Sequence, residues 1–315
     1  MTQTKAQHQL DMSRDKDQTQ IVDIYLAKSD KIFHCINNCL IALMMLIVII
    51  PMLNVLASSF SSASAVNSGK VYLWPVEFCL DGYEKVFTYP NVWRSYGNTF
   101  FYTIVGTAIN ISMTLLAAYP LSRKSLPLRG FFTFLFTFTM MFSGGMIPTY
   151  LVMKTIGITN TRWAMLLPGA ISIYNMLIAR TFIQNIPEEL WEAAYLDGCS
   201  DAKFFVNMVI PLSGTMISVL TLYYAVGHWN AYFNAFLYLT DRDMMPLQIV
   251  LRDVLLSTQI KADAIMDGDT AAALAGMSDL LKYSLIVVAS VPILCLYPFL
   301  QKYFVKGVMI GSLKG

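Results

Sequence analysis

Four carboxylates fall within ten residues near the middle of an otherwise apolar chain: Glu188, Glu189, Glu192 and Asp197, in the run EELWEAAYLDG. Pro187 can open a helix there, Glu188 and Glu189 suit the positive end of its dipole, and Gly198 supplies the left-handed stop that side-chained residues resist. Ten helical residues rise only about 15 Å. The run is too short and too charged to cross a bilayer, yet it interrupts two stretches that can. Its chemistry is that of a charged docking element that meets something in water.

The elements that must position this run are membrane helices. With 315 residues, 56% hydrophobic and 13% charged, and a mean hydropathy of +0.54, the chain has too little polar surface to coat a soluble globule. Long stretches without formal charge run over Phe33–Ala57, Tyr96–Leu121, Phe131–Met153, Trp163–Ala179, Phe204–Leu239 and Tyr283–Leu300. Each approaches or exceeds the length a helix needs to cross hydrocarbon. The expectation is an all-α integral membrane protein with six transmembrane helices, the fifth finishing its crossing near Tyr224. Pro51, Pro148, Pro168, Pro211, Pro292 and Pro298, with Ser143–Gly145 in the third stretch, are interruptions suited to a moving conduit.

Six crossings place both termini on one side, and basic residues choose that side. One set of flanks holds Lys5, Arg14, Lys16, Lys28, Lys31, Arg123, Lys124, Arg129, Lys203, Lys302, Lys306 and Lys314. The opposite loops hold Lys70, Lys85, Arg94, Lys154, Arg162, Arg242, Arg252 and Lys261. Both termini and the acidic helix are therefore expected in the cytoplasm. Residues 1–31 read as a polar leader without the hydrophobic core of a signal peptide, 32–305 as the membrane domain and 306–315 as a cytoplasmic tail.

Other chemistries fail on their residues. The net charge of +2 comes without a basic, aromatic-interleaved stripe, which sets nucleic acid aside. Cys35, Cys39, Cys79, Cys199 and Cys295 include no CxxC pair, and no metal site is expected. The Gly69-Lys70 pair lacks both the preceding glycine and the following hydroxyl of a phosphate-cradling loop, so the chain has no nucleotide site of its own. His8, His34 and His228 are far apart in sequence, and neither HExxH nor GxSxG occurs, leaving no catalytic residues to nominate. Asp241 to Asp279 reads as a solvated outer surface, because DGD at Asp267–Asp269 lacks the other ligands of a calcium loop.

The segment Glu192–Gly198, EAAYLDG, followed by Met208, Ile210 and Pro211, resembles the EAA signature of binding-protein-dependent ABC importer permeases. That pattern is Glu-Ala-Ala, three residues, Gly, nine residues, then Ile-x-Leu-Pro. The chain matches it at Glu192, Ala193, Ala194, Gly198 and Pro211, with apolar replacements at Met208 and Ile210. The runs SGGMIPTYLVMKTIGITNTRWAMLLPGA and YPFLQKYFVKGVMIGSLKG, with Trp229-Asn230, are similar to the maltose-permease type of carbohydrate importer, especially its oligosaccharide and polysaccharide branch. The resemblance covers roughly Phe33 to Gly315.

It implies the MetI-like ABC permease fold in a bacterial cytoplasmic (inner) membrane, with residues 187–203 as a coupling helix seated in a partner ATPase. Glu192, Ala193, Ala194, Asp197, Gly198 and Pro211 would carry the coupling, with Leu190, Trp191 and Tyr195 as apolar anchors. Gly311, Ser312, Leu313, Lys314 and Gly315 would make a second ATPase contact. Implied partners are a homologous second permease, two ATPases holding ATP and Mg, an extracellular sugar-binding protein, the lipid bilayer and an oligosaccharide. No cofactor belongs to this chain. A sugar path needs hydroxyls, amides and aromatic rings, and Tyr174, Asn175, Tyr224, Trp229, Asn230, Tyr232 and Asn234 are its candidates. A carrier driven by an ion gradient is the alternative, disfavoured because the six stretches contain no buried carboxylate or basic residue for ion coupling.

Overall fold

A computed structural model describes residues 28–89, 91–263, 277–295 and residue 298, and the described residues contain helices and no strand. The polar leader up to residue 27, the tail contact at Gly311–Gly315 and the DGD run lie outside the described residues.

Three helices are long and apolar enough to cross a membrane: α1 (Lys28–Ser59), α2 (Val92–Ser122) and the Met277–Cys295 helix, reached last in chain order. Two further helix pairs pass the same test together but are sharply bent. In the first, α3 (Arg129–Met141) meets α4 (Met146–Ile156) at 114°. The hinge is Ser143-Gly144-Gly145, where Gly145 takes φ 85°, a left-handed backbone that glycine adopts without a Cβ clash. The third apolar stretch is thus broken at the Ser143–Gly145 run, where its sequence places an interruption.

The expected fourth stretch is also discontinuous. A short turn at Trp163–Leu166 stops before Pro168 and Gly169, the latter at φ 79°, and Ser172 then caps α5 (Ile173–Gln184) by accepting the Asn175 amide. A twelve-residue helix rises about 18 Å, too little to cross hydrocarbon alone. After the acidic helix α6 (Glu188–Leu196), α7 (Asp201–Leu212) joins α8 (Gly214–Trp229) at 79°. Phe205–Val209 is a π-turn just before Pro211. Proline removes an amide donor and its ring crowds the carbonyl four residues back, so widening the preceding turn and bending the chain relieves both. The helix beyond the bend runs to Trp229. It is followed by α9 (Phe233–Tyr238), α10 (Leu247–Asp263) and α11 (Met277–Cys295).

α2 is the central post. Its buried polar residues Ser95, Asn98, Thr99, Tyr102, Thr103, Thr107, Asn110 and Thr114 recur at helical spacing and form one stripe. Part of that stripe is satisfied by other elements: Asn98 Nδ2 donates to the Asp243 and Met245 carbonyls, the Tyr102 hydroxyl to the Met244 carbonyl, and Thr99 Oγ1 accepts the Leu247 amide, while the buried hydroxyls of Ser95, Thr103 and Thr107 have no partner among the described residues. Where water is excluded, such bonds fix which helices pair. Gly106 on the same stripe lets His228 of α8 approach closely. A Cβ at Gly106 would lie 2.5 Å from the imidazole ring, whose Nε2 is 2.8 Å from Asn110 Oδ1.

The apolar core has a lower and an upper part on this post. Leu115, Ala118 and Leu121 pack with Met176, Ile183, Phe204, Val209 and Leu220. Val92, Trp229, Leu247 and Leu251 pack with Leu281 and Leu285 of α11. α1 stands outside both cores, with its apolar residues exposed along most of its length. Asn54 ties its end to the following segment through the Val71 and Tyr72 carbonyls.

Candidate functional site

The acidic run forms α6 between Pro187 and Gly198, as its end signals require. Gly198 takes φ 75°, its amide bonds the Tyr195 carbonyl at 3.0 Å, and the Cys199 amide bonds the Ala194 carbonyl at 2.9 Å. This paired closure satisfies carbonyls that a bare helix end would leave open. Ser200 then caps α7 by accepting the Lys203 amide. The chain therefore leaves one helix and starts the next within a few residues, which holds α6 at a fixed angle to α7.

Side chains from two directions seat α6. Trp191 lies under the Arg123 guanidinium at 4.3 Å, stacks on Tyr195 with ring centroids 5.2 Å apart, and donates its indole N–H to Asp201 Oδ1 at 3.1 Å. Asp201 also receives the Tyr119 hydroxyl at 3.4 Å. Lys124 pairs with Glu188 at 2.9 Å. Its hydrogen bond, reinforced by its charge, holds the exposed Glu188 carboxyl below the usual carboxylate range. The last turn of α2 and the first turn of α7 thus grip the helix together. Beside this seat lies a cavity of about 630 Å³, whose lining includes Arg123, Lys124 and Arg129 as well as Pro187, Glu188 and Glu189.

Trp191 therefore anchors α6 to its own chain. The exposed side chains beyond Glu188 are Glu189, Leu190, Glu192, Ala193, Tyr195, Leu196 and Asp197, with Leu196 86% exposed. Pro211 lies exposed at the end of α7, beyond the π-turn. The seat residues Arg123, Lys124, Tyr119 and Asp201 were not singled out as site residues from the sequence. Their signal was present in the basic pair that closes α2 and the aspartate behind the Ser200 cap.

The sugar-path candidates separate by burial. Tyr224 and Trp229 are buried: the Tyr224 hydroxyl lies 2.7 Å from Thr114 Oγ1, and the Trp229 indole donates to the Ala289 carbonyl at 2.8 Å. Asn175 is also buried, and Asn234 is half-buried. Tyr174, Asn230 and Tyr232 are exposed, and Asn230 Nδ2 donates to the Val226 carbonyl of its own helix. Among the described residues, no group of His, Cys, Asp and Glu could hold a metal ion.

Residues 110–310 match the family described as binding-protein-dependent transport system inner membrane component, a span that takes in α6, its seat and the bent α7–α8 pair. The chain belongs to this family. The permease is 40% identical over 296 residues to the Bacillus subtilis protein LplC, covering 94% of this chain and 99% of that protein. It is 41% identical over 273 residues to YtcP of the same organism, a polygalacturonan/rhamnogalacturonan transport system permease, covering 86% and 94%. A crystal structure of a bacterial ABC transporter that imports the acidic polysaccharide alginate matches with a TM-score of 0.79 and 31% identity, over 89% of the permease and 99% of that chain. The permease is thus an inner membrane component of a binding-protein-dependent transport system, and its fold is that of an ABC importer permease.

Proposed function

We propose that the permease forms one half of the membrane path of an ATP-driven importer of oligosaccharides and that α6 is where ATP-driven motion enters it. The carrying observation is the division of α6 into two faces. Trp191 and Glu188 tie it to α7 and α2, while Glu192, Ala193 and Leu196 face outward, unclaimed by the chain's own core. A helix held firmly from behind with apolar and acidic groups in front suits docking into a groove of a water-soluble ATPase. The sugar class rests on one relative, a polygalacturonan/rhamnogalacturonan transport system permease, and on the likeness to a transporter involved in alginate import.

On this reading the bent α3–α4 and α7–α8 pairs each make one crossing. α5 joins the Trp163–Leu166 turn in another, giving six with both termini in the cytoplasm of a bacterial cell. Glu192, Ala193, Ala194, Asp197, Gly198 and Pro211 carry the coupling, and Gly311–Gly315 adds a second ATPase contact. A second permease completes the path, two ATPases hold ATP and Mg, and an extracellular binding protein delivers the sugar. Tyr174, Asn230 and Tyr232 are the path candidates left accessible by the fold. The test is co-purification of the permease with its ATPase. Wild type should hold the ATPase, and Glu192→Lys or Gly198→Pro should lose it. Sugar uptake that continues without any ATPase would overturn the proposal.

A further inference from the structure

We infer that Arg129 and Arg180 form a binding station for the carboxylate of an acidic sugar, next to the seat of α6. Arg129 opens α3 and Arg180 lies near the end of α5, and both donate Nε–H to one atom, the Leu121 carbonyl oxygen, at 2.9 and 3.0 Å. The two Nε atoms are therefore no further apart than these two bonds laid end to end, which brings the guanidinium groups together at one carbonyl. Neither lies within ion-pair distance of a carboxylate among the described residues. Capping one open carbonyl of α2 needs a single N–H donor. A guanidinium has five, so most of the donors of both residues remain for something else. Two cations converging without a counter-charge favour an anion between or beside them.

The space next to them suits a sugar better than a bare ion. An open groove of about 620 Å³ is lined by Arg129, Gly130, Thr133, Phe134, Thr137 and Arg180, within the roughly 300–1,000 Å³ range of ligand clefts. Nothing lies within 4 Å of where a Cβ on Gly130 would project, which leaves the floor of the groove clear. Thr133 and Thr137 each donate their hydroxyl to a carbonyl of their own helix at 2.8 Å, leaving oxygen lone pairs to accept sugar hydroxyls. Phe134, 64% exposed, offers a face for an apolar sugar ring surface. A uronate supplies all the complements: a carboxylate for the guanidinium forks, hydroxyls and a flat face. This deepens the oligosaccharide reading and rests on it.

The test uses the assembled importer in lipid nanodiscs of uncharged phosphatidylcholine, with tri-galacturonate as the probe and maltotriose as the neutral control. Wild type should bind tri-galacturonate in a salt-sensitive manner and prefer it to maltotriose. Arg129→Gln and Arg180→Gln should each weaken binding at least tenfold with the neutral sugar unaffected, and Arg180→Lys should recover part of the loss. Absence of tri-galacturonate binding by wild type overturns the inference, and so does equal weakening of both sugars. Nanodiscs containing phosphatidylglycerol separate the other source of an oxyanion. If glycerol phosphate headgroups, but not uronate, show the arginine dependence, the groove is a lipid site and the inference is wrong. If wild type carries neutral oligosaccharides into vesicles but does not bind uronate, only the station fails. If it carries no saccharide at all, the proposed function fails.

Discussion

Truncating Trp191 to alanine removes two contacts that seat α6, together with a stack on Tyr195 inside the helix, and leaves Glu192, Ala193, Leu196 and Asp197 of the outward face in place. The indole lies under Arg123 at 4.3 Å, an interaction worth about 0.5–1 kcal/mol at an exposed site. Its N–H meets the Asp201 carboxylate at 3.1 Å, a charge-assisted bond of about 1.5 kcal/mol or somewhat less where solvent reaches the aspartate. Stacking on Tyr195 lies within α6 and does not count toward its seating. The terms share one ring and are not independent, so a combined loss of about 2 kcal/mol is expected, an approximately 30-fold fall in the seated population at about 1.4 kcal/mol per tenfold. Trp191→Phe keeps the ring and loses the N–H, for about 1 kcal/mol or an approximately fivefold fall. The assay is sugar imported per ATP hydrolysed, in proteoliposomes containing the assembled importer. Trp191→Ala should lower that ratio by tenfold or more while the ATPase still co-purifies, and Trp191→Phe should fall between it and wild type. A wild-type ratio in Trp191→Ala refutes the seat as a transmission element. Loss of the ATPase in the same variant refutes the division of α6 into two faces.

Gly106→Ala should destabilise the permease by about 2–4 kcal/mol, because the new Cβ displaces His228 and strips Asn110 Oδ1 of its partner. Thermal inactivation should show Gly106→Ala/His228→Ala no worse than His228→Ala alone, and additive losses would contradict the packing argument. Glu188→Gln should reduce thermal stability by the same margin from pH 6 to 8, because a depressed carboxylate pKa gives its contribution above the ordinary value of about 4.3 and loses it as pH falls through the seated value. Wild type and variant should converge once the pH falls below the seated value, and also in high salt, and a gap that persists there argues against the Lys124 pair as its source. Tyr224→Phe should cost about 1–3 kcal/mol in stability by orphaning Thr114, with the KM for sugar unchanged. A raised KM with normal stability would return Tyr224 to the sugar path.

Local chemistry was legible in the sequence, and tertiary chemistry was not. The ends of α6 follow from Pro187 and Gly198 because a left-handed stop depends on one residue's own backbone. The breaks at Ser143–Gly145, Pro168 and Pro211 were legible for the same reason, although the 114° and 79° bends at the first and last were not. The polar stripe of α2 escaped because Asn98, Thr99, Tyr102 and Asn110 sit among apolar neighbours and vanish when hydropathy is averaged along the chain. Only their helical spacing reveals a buried face. Trp229 fits an interfacial aromatic by position, yet α11 covers it through the Ala289 carbonyl, sixty residues away. The role of Trp191 was hidden in the same way. Whether its ring faces a partner or its own chain depends on Arg123, which sequence spacing does not bring near.

The seat also determines what a push on α6 can move. Arg123 follows the last turn of α2, and Asp201 opens α7, so a force on α6 divides between the central post and the bent α7–α8 pair. These two recipients differ in stiffness. α2 runs unbroken from Val92 to Ser122 and is pinned by its polar stripe to the segment around Asp243 to Leu247. α7 contains the π-turn and Pro211, and meets α8 at 79°, so it has a place to flex within two turns of the push. Displacement should therefore concentrate at the Leu212–Gly214 bend while α2 stays as the reference. This ordering is measurable with paired spin labels in the assembled importer with and without ATP. Distances from α6 to the upper part of α8 should change, those from α6 to the end of α2 should hold, and the reverse pattern would assign the moving part to the wrong helix.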